Sequence, residues 1–227
     1  MKDSLAANLE TMLTVDVEAL QTWLQAQKSN ATVLAGSPQV AELIEQLVTE
    51  ASSPDVSDNA LVTSPRLHEL RQVLKPWLAA YNYHDFAVVT RESRILASEL
   101  DDPIGKSSLP IQPGLLEQVF RMTSVVTRPF ESALLLEDKD GQTRAGMATM
   151  LAVAPVLDRQ GRTIAAFGAR IRPDEDFTQI LSIARAGGTG ETYAFDGQGV
   201  MLSQSRFDDQ LKHIGLLPDR EGTSGAM

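Results

Sequence analysis

The chain has 227 residues, 43% of them hydrophobic and 22% charged, which is apolar material enough for one large domain or two small ones. A formal net charge of -10 excludes binding to nucleic acid, whose phosphates demand a basic face, and opposes adsorption to anionic lipid. The absence of cysteine excludes disulfides, thiolate metal sites and thiol nucleophiles, and is compatible with either cytoplasm or periplasm.

Leu5, Leu9, Met12, Leu13, Val17, Leu20 and Leu24 recur at helical spacing and predict one long amphipathic helix over 3–35. Such a length suits a stalk, and its apolar stripe can pack on its own domain or on a second copy, so weak parallel dimerisation is expected. Gly36-Ser37-Pro38 stops this helix and starts another over 39–50, with Ser37 as N-cap and Pro38 in the first turn. The Ser-, Asp- and Pro-rich stretch 51–64 reads as a loop. A third helix over 65–80 places Leu67, Leu70, Val73, Leu74 and Trp77 on one side, with Pro76 kinking or closing it.

The pattern then changes to period two. Phe86–Thr90 and Ile95–Ser98 predict a hairpin, followed by a short helix over 113–122 and strands over 125–130, 147–157 and 163–171. Asp158-Arg159-Gln160-Gly161 makes the turn between the last two strands. A connecting helix over 174–186 leads to Gly187-Gly188-Thr189-Gly190, and then to a second hairpin: Thr192–Phe195, a turn through Asp196-Gly197-Gln198-Gly199, and Val200–Leu202. Laid over the first hairpin, Thr90 falls on Asp196, Ser93 on Gly199 and Ile95 on Met201, an offset of 106 positions that reads as a divergent internal repeat.

The run from Gly187 to Phe207, its echo at 86–98, and the closing Ala154-Pro155-Val156-Leu157-Asp158 hairpin resemble the double Cache (dCache) domains, extracytoplasmic sensors of bacterial receptors. The resemblance covers most of the chain and implies an α+β fold: a long N-terminal helix, a PAS-like five-stranded antiparallel sheet with flanking helices, and the start of a second such module. It divides the chain into a helical stalk (1–50), a membrane-distal Cache module (51–173), and a connecting helix with a truncated second module (174–227). It further implies a non-enzymatic ligand sensor for a kinase, cyclase or chemoreceptor, lying in the periplasm or outside the cell. No run approaches the ~20 apolar residues that span a bilayer, and Met1-Lys2-Asp3-Ser4-Leu5 opens no signal peptide, so flanking transmembrane helices are expected outside this sequence. A ligand-free module that binds a protein partner is the alternative.

Residues that could carry other chemistry do not assemble into motifs. The glycines 187–190 follow a helix and precede a strand, the reverse of a phosphate loop, and read as a helix cap. His68, His84 and His213 lack partners at metal-ligand spacing, and Glu137-Asp138-Lys139-Asp140-Gly141 lacks the spacing of a calcium loop. No cofactor and no metal are expected. On the Cache reading, a pocket lies between the central strands and the helix and loop that cover them. Its candidate lining is aromatic (Tyr81, Tyr83, Phe130), cationic (Arg121, Arg128, Arg170) and thioether (Met147, Met150). The sequence departs from the amino-acid-binding dCache pattern. Arg-x-Trp-Tyr is absent, and Arg170 stands where that pattern has an Asp for the ligand ammonium. Arg128 and Arg170 therefore point to a small anionic metabolite held by forked hydrogen bonds. Alternation puts Ile164, Ala166, Gly168 and Arg170 on one face of their strand and leaves open whether that face meets a pocket or water.

Overall fold

The computed structural model describes residues 2–53, 57–107, 114–132, 135–137, 143–183 and 190–216. The glycine cluster apart from Gly190, the acidic turn 138–141 and the end of the connecting helix lie outside them. Two compact units are distinguished. One comprises Ala26–Thr127 with Met150–Ile171, and the other Met1–Gln25, Arg128–Thr149 and Arg172–Met227.

The helices begin where the capping residues direct. Helix α1 is continuous over Lys2–Ala35, and α2 over Pro38–Ala51 starts behind Ser37 and Pro38. The stretch read as a loop contains one further turn of helix, α3 (Asp58–Val62), because the Ser57 hydroxyl accepts the Ala60 N–H and caps it. Helix α4 (Pro65–Ala80) is capped by Ser64, whose Oγ accepts the Arg66 N–H and also donates to Glu50 Oε2 at 2.9 Å. Pro76 neither closes nor ends α4: one N–H is lost, and the ladder resumes with Tyr81 N–H bonding Trp77 O at 3.0 Å. Trp77 is exposed, and Leu78 takes the buried place with Leu67, Leu70 and Leu74. These leucines pack α4 against the Val40, Leu43, Ile44 and Leu47 face of α2.

The sheet is antiparallel throughout. Its strands are β1 (Asp85–Val89), β2 (Ile95–Ser98), β3 (Val125–Val126), β7 (Ala148–Leu157) and β8 (Thr163–Ile171), in the order β2-β1-β8-β7-β3. The strand expected over 125–130 is broken: β3 ends at Val126, and the chain resumes as β4 (Phe130–Glu131), paired with Thr149 and Ala148. Pro129 has no N–H for the ladder, which explains the interruption. Two further short strands, β5 (Leu136–Glu137) and β6 (Thr143–Arg144), pair with each other. Helix α5 covers only Leu115–Phe120. It starts at Gly114 in the left-handed region and stops before Met122, whose φ is 67°.

One turn geometry occurs three times among the described residues. In 90–94, 158–162 and 196–200, the first N–H bonds the fifth carbonyl at 2.9 Å and the fourth N–H bonds the first carbonyl at 3.0–3.1 Å. The fourth residue has positive φ: 66° at Ser93, 77° at Gly161 and 82° at Gly199. The first side chain (Thr90, Asp158 or Asp196) accepts the fifth N–H. This is a type I turn closed by a left-handed residue, the usual three-residue hairpin loop. The expected alignment of Thr90 with Asp196 and Ser93 with Gly199 is therefore correct in geometry. Beyond its turn, however, the second hairpin forms a single bridge, Phe195 to Met201, instead of two strands. Phe195 is exposed, and no third strand pairs with this hairpin among the described residues.

In the second unit Trp23 packs on Phe177 with ring centroids 6.2 Å apart, and Phe177 and Leu181 bury one side of α6 (Phe177–Ile183). A short helix α7 (Asp208–His213) follows the hairpin.

The two faces of the sheet differ. On one, Phe86, Val88, Phe167, Ala169, Ala152, Ala154 and Val156 are essentially sealed from solvent, with the Phe86 and Phe167 rings stacked and α2 packing on β8 and β2. On the other, Leu115, Val119 and Phe120 of α5 pack on Val153 and Ala166, yet Ala87, Leu151, Ile164 and Arg170 stay partly accessible. Phe167→Ala should therefore lower unfolding free energy by about 3–5 kcal/mol, and Leu151→Ala by roughly half that or less, as read by urea denaturation.

Candidate ligand-binding face

The partly open face owes its character to the residues that alternation delivers to it. In register across the sheet stand Asp85 of β1, Arg170 of β8 and Leu151 of β7. Thr127 continues this row, its N–H bonding Leu151 O and its Oγ1 accepting the Leu151 N–H, both at 2.9 Å. The next row holds Ala87, Gly168 and Val153. Ala87 and Gly168 are small, so the Asp85–Arg170 pair is not overlain by bulky neighbours on β1 and β8, while α5 covers Val153 and Ala166 and its cluster extends to Leu151.

Asp85 and Arg170 form the only charged pair on this face among the described residues. Arg170 Nε lies 3.9 Å from Asp85 Oδ2, with side chains 12% and 9% exposed. The His84 N–H bonds Arg170 O at 3.0 Å and continues the ladder past the pair. Burial pushes the Asp85 carboxyl up to about 6, with the nearby Glu99 carboxylate adding to the rise. The Arg170 guanidinium and the backbone N–H groups of Phe86 and Glu99 hold it from rising further.

The other expected lining residues are distributed differently. Tyr81 caps α4 and stands between the rings of Trp77 and Tyr83. Tyr83 is buried, and its hydroxyl donates to Gln27 Oε1 of α1 at 2.7 Å, so it belongs to the helical packing. Arg121 is exposed at the end of α5. Met150 is a correction: it pairs with Ile171 and therefore lies on the sealed face, opposite to Arg170. Arg128, Phe130 and Met147 belong to the second unit. There Arg128 donates to Asp196 Oδ2 in the hairpin turn, Phe130 pairs with Thr149, and Met147 is buried with its carbonyl accepting the Ser132 N–H. The three histidines are exposed, and no cluster of His, Cys, Asp or Glu suited to a metal occurs among the described residues. Asp85 was not anticipated. Its signal in the sequence was an acid opening an otherwise apolar strand, on the same alternation as Ala87 and Val89.

The second unit holds a cavity of about 260 Å³ whose walls include Thr178, Leu181, Glu191, Ser205 and Arg206. Glu191 ties it together by accepting the Arg206 N–H at 2.6 Å, the Ser205 hydroxyl at 3.2 Å and the Tyr193 hydroxyl. Burial and this carboxylate raise the Tyr193 phenol above its ordinary value.

No protein-family model and no curated protein matches the chain. Solved structures do. The sensor domain of the Vibrio cholerae histidine kinase DctB superposes with a TM-score of 0.52 at 13% identity, covering 93% of this chain and 74% of that one. The ligand-binding domain of the Campylobacter jejuni chemoreceptor Tlp3, solved with 4-methylisoleucine, gives 0.50 at 13% identity, covering 96% and 75%. The chain has the fold of a Cache-type, PAS-like sensor domain. Arg170 lies on the partly accessible face of the sheet, the one against which α5 packs. No described helix is long and apolar enough to cross a membrane.

The electrostatics yield a direct test. The folded-state value for Asp85, about 6 against an ordinary 3.8, means that the native protein binds this proton more tightly than the unfolded chain does. Its contribution favours folding below pH 4 and is lost as the pH rises to about 6. Comparing wild type with Asp85→Asn by urea denaturation, the wild type should lose roughly 2 kcal/mol relative to the variant between pH 4 and 6.5, with no further divergence above pH 7.5.

Proposed function

We propose that this chain is the extracytoplasmic ligand-sensing domain of a bacterial signal-transduction receptor, and that it binds a small anionic metabolite at Arg170. The observation that carries this reading is a nearly buried guanidinium on the partly open face of a sensor-type sheet. A guanidinium there offers a planar donor fork to a carboxylate or a similar oxyanion, in surroundings that strengthen the contact. Arg128, engaged by Asp196, is assigned to the hairpin rather than to the ligand. In this reading the domain binds and does not catalyse, and its output module is a kinase, a cyclase or a chemotaxis signalling domain.

The proposed organisation has a leading helical stalk over 1–50, one Cache module over 51–173 and the opening of a second over 174–227. Ligand binding would favour one of two arrangements of the sheet module against its leading helix, which requires different affinity for the two. The stripe of Leu9, Leu13 and Val17, exposed on α1, is where a second copy would meet it.

A thermal-shift screen of the purified chain against carboxylates, amino acids, amines, purines and sugars tests the reading. A rise in melting temperature confined to anions is expected, and Arg170→Ala should weaken binding of the hit by at least tenfold, about 1.4 kcal/mol. A hit unaffected by Arg170→Ala would remove Arg170 from the site. No hit in any class would favour a ligand-free module that docks a protein partner.

A further inference from the structure

We propose that the Asp85–Arg170 site takes up one proton with each anion it binds, and that Asp85 is the group that accepts it. The proposal rests on the anion-binding reading of this face and adds a condition to it. Arg170 brings one positive charge to the row, and Asp85, directly across the β1–β8 ladder and 3.9 Å away, already balances it. The charged groups that face Asp85 are Arg170 from β8 and Glu99 just beyond β2, while Glu117 of α5 is directed to solvent. Among the described residues, Arg170 is the one cation that acts on Asp85.

An anion seated on Arg170 would add a negative charge beside two carboxylates in a place with little water. Two responses restore the balance. Either Asp85 takes a proton from solvent, or the ligand carries its own cation next to Asp85. The first response needs nothing beyond the residues present. Its cost is small, because the buried Asp85 carboxyl already holds its proton up to about pH 6. Proton and anion arrive together, no covalent bond changes, and the net charge of the row is the same before and after. The site would therefore bind anions tightly in acid and weakly in alkali. Above about pH 6, affinity should fall by up to tenfold per pH unit, as for any equilibrium linked to the uptake of one proton. With Asp85→Asn the linkage disappears and anions bind as well at high pH as at low.

The test is isothermal titration of the full chain at pH 5.5 and 7.5 with lactate and sulfate, which stay anionic throughout, and with L-serine as a zwitterion. Each titration is run in two buffers of different ionisation enthalpy, which counts protons taken up. The expected result is an anion at least tenfold tighter at pH 5.5, uptake approaching one proton per anion at pH 7.5, and no pH dependence in Asp85→Asn. If that variant does not fold, the buffer comparison on wild type alone decides. Anion binding with no proton uptake overturns the proposal and leaves the sensor reading intact. So does L-serine binding more tightly than either anion without uptake, and this would assign the ligand's cation to Asp85. No binding of any probe at either pH overturns both.

Discussion

The placement of β8 between β1 and β7 governs everything else in the sheet unit. Antiparallel pairing on both sides fixes which residues of three strands share a face, because the side-chain period is two and a slip of one residue would exchange the faces. With the observed register, Phe86, Phe167 and the alanines of β7 are all delivered to the helical side. Asp85, Arg170, Ala87 and Gly168 are delivered together to the other. The same constraint therefore seals the core and assembles the polar row, and neither could be shifted without the other.

How far this was legible from sequence differs by element. The helices were marked by caps and period: Ser37-Pro38 and Ser64-Pro65 set the starts of α2 and α4 to within a residue. The turns were marked by residue type, and the correspondence of Ser93 with Gly199 proved geometrically right because both occupy the left-handed position of the same loop. The break at Pro129 and the shortened hairpin at 193–203 were missed. The break was written locally, in a residue without an N–H, whereas the extent of the hairpin depends on whether a neighbouring strand is present to pair with. The same limit applies to the site. Alternation placed Arg170 on a face with Ala166 and Gly168, but only inter-strand register brings Asp85 to it across 85 positions of chain. Met150 was misplaced for the converse reason: it was chosen by strand, without knowing which side of the strand α5 would cover.

The polar row works against folding at neutral pH. An ionisable acid held with its carboxyl shifted up to about 6 is less comfortable in the native protein than in water at neutral pH, and a pair of apolar residues would suit a buried position better. Functional sites commonly keep such groups at the expense of stability. Here the cost is borne by a sheet whose opposite face is closed by aromatic stacking and helix packing, so the unfavourable pair sits on a well-supported platform.

The separation of the sheet into a sealed side and an accessible side has an evolutionary corollary. Residues such as Ala87, Leu151, Ile164 and Gly168 can be exchanged with little penalty to the platform, while each exchange reshapes what lies against Arg170. A lineage built on this sheet could therefore change the chemistry of its accessible side through single substitutions that keep the protein folded at every step. Sequence would diverge quickly on the accessible side while the sealed side kept the architecture.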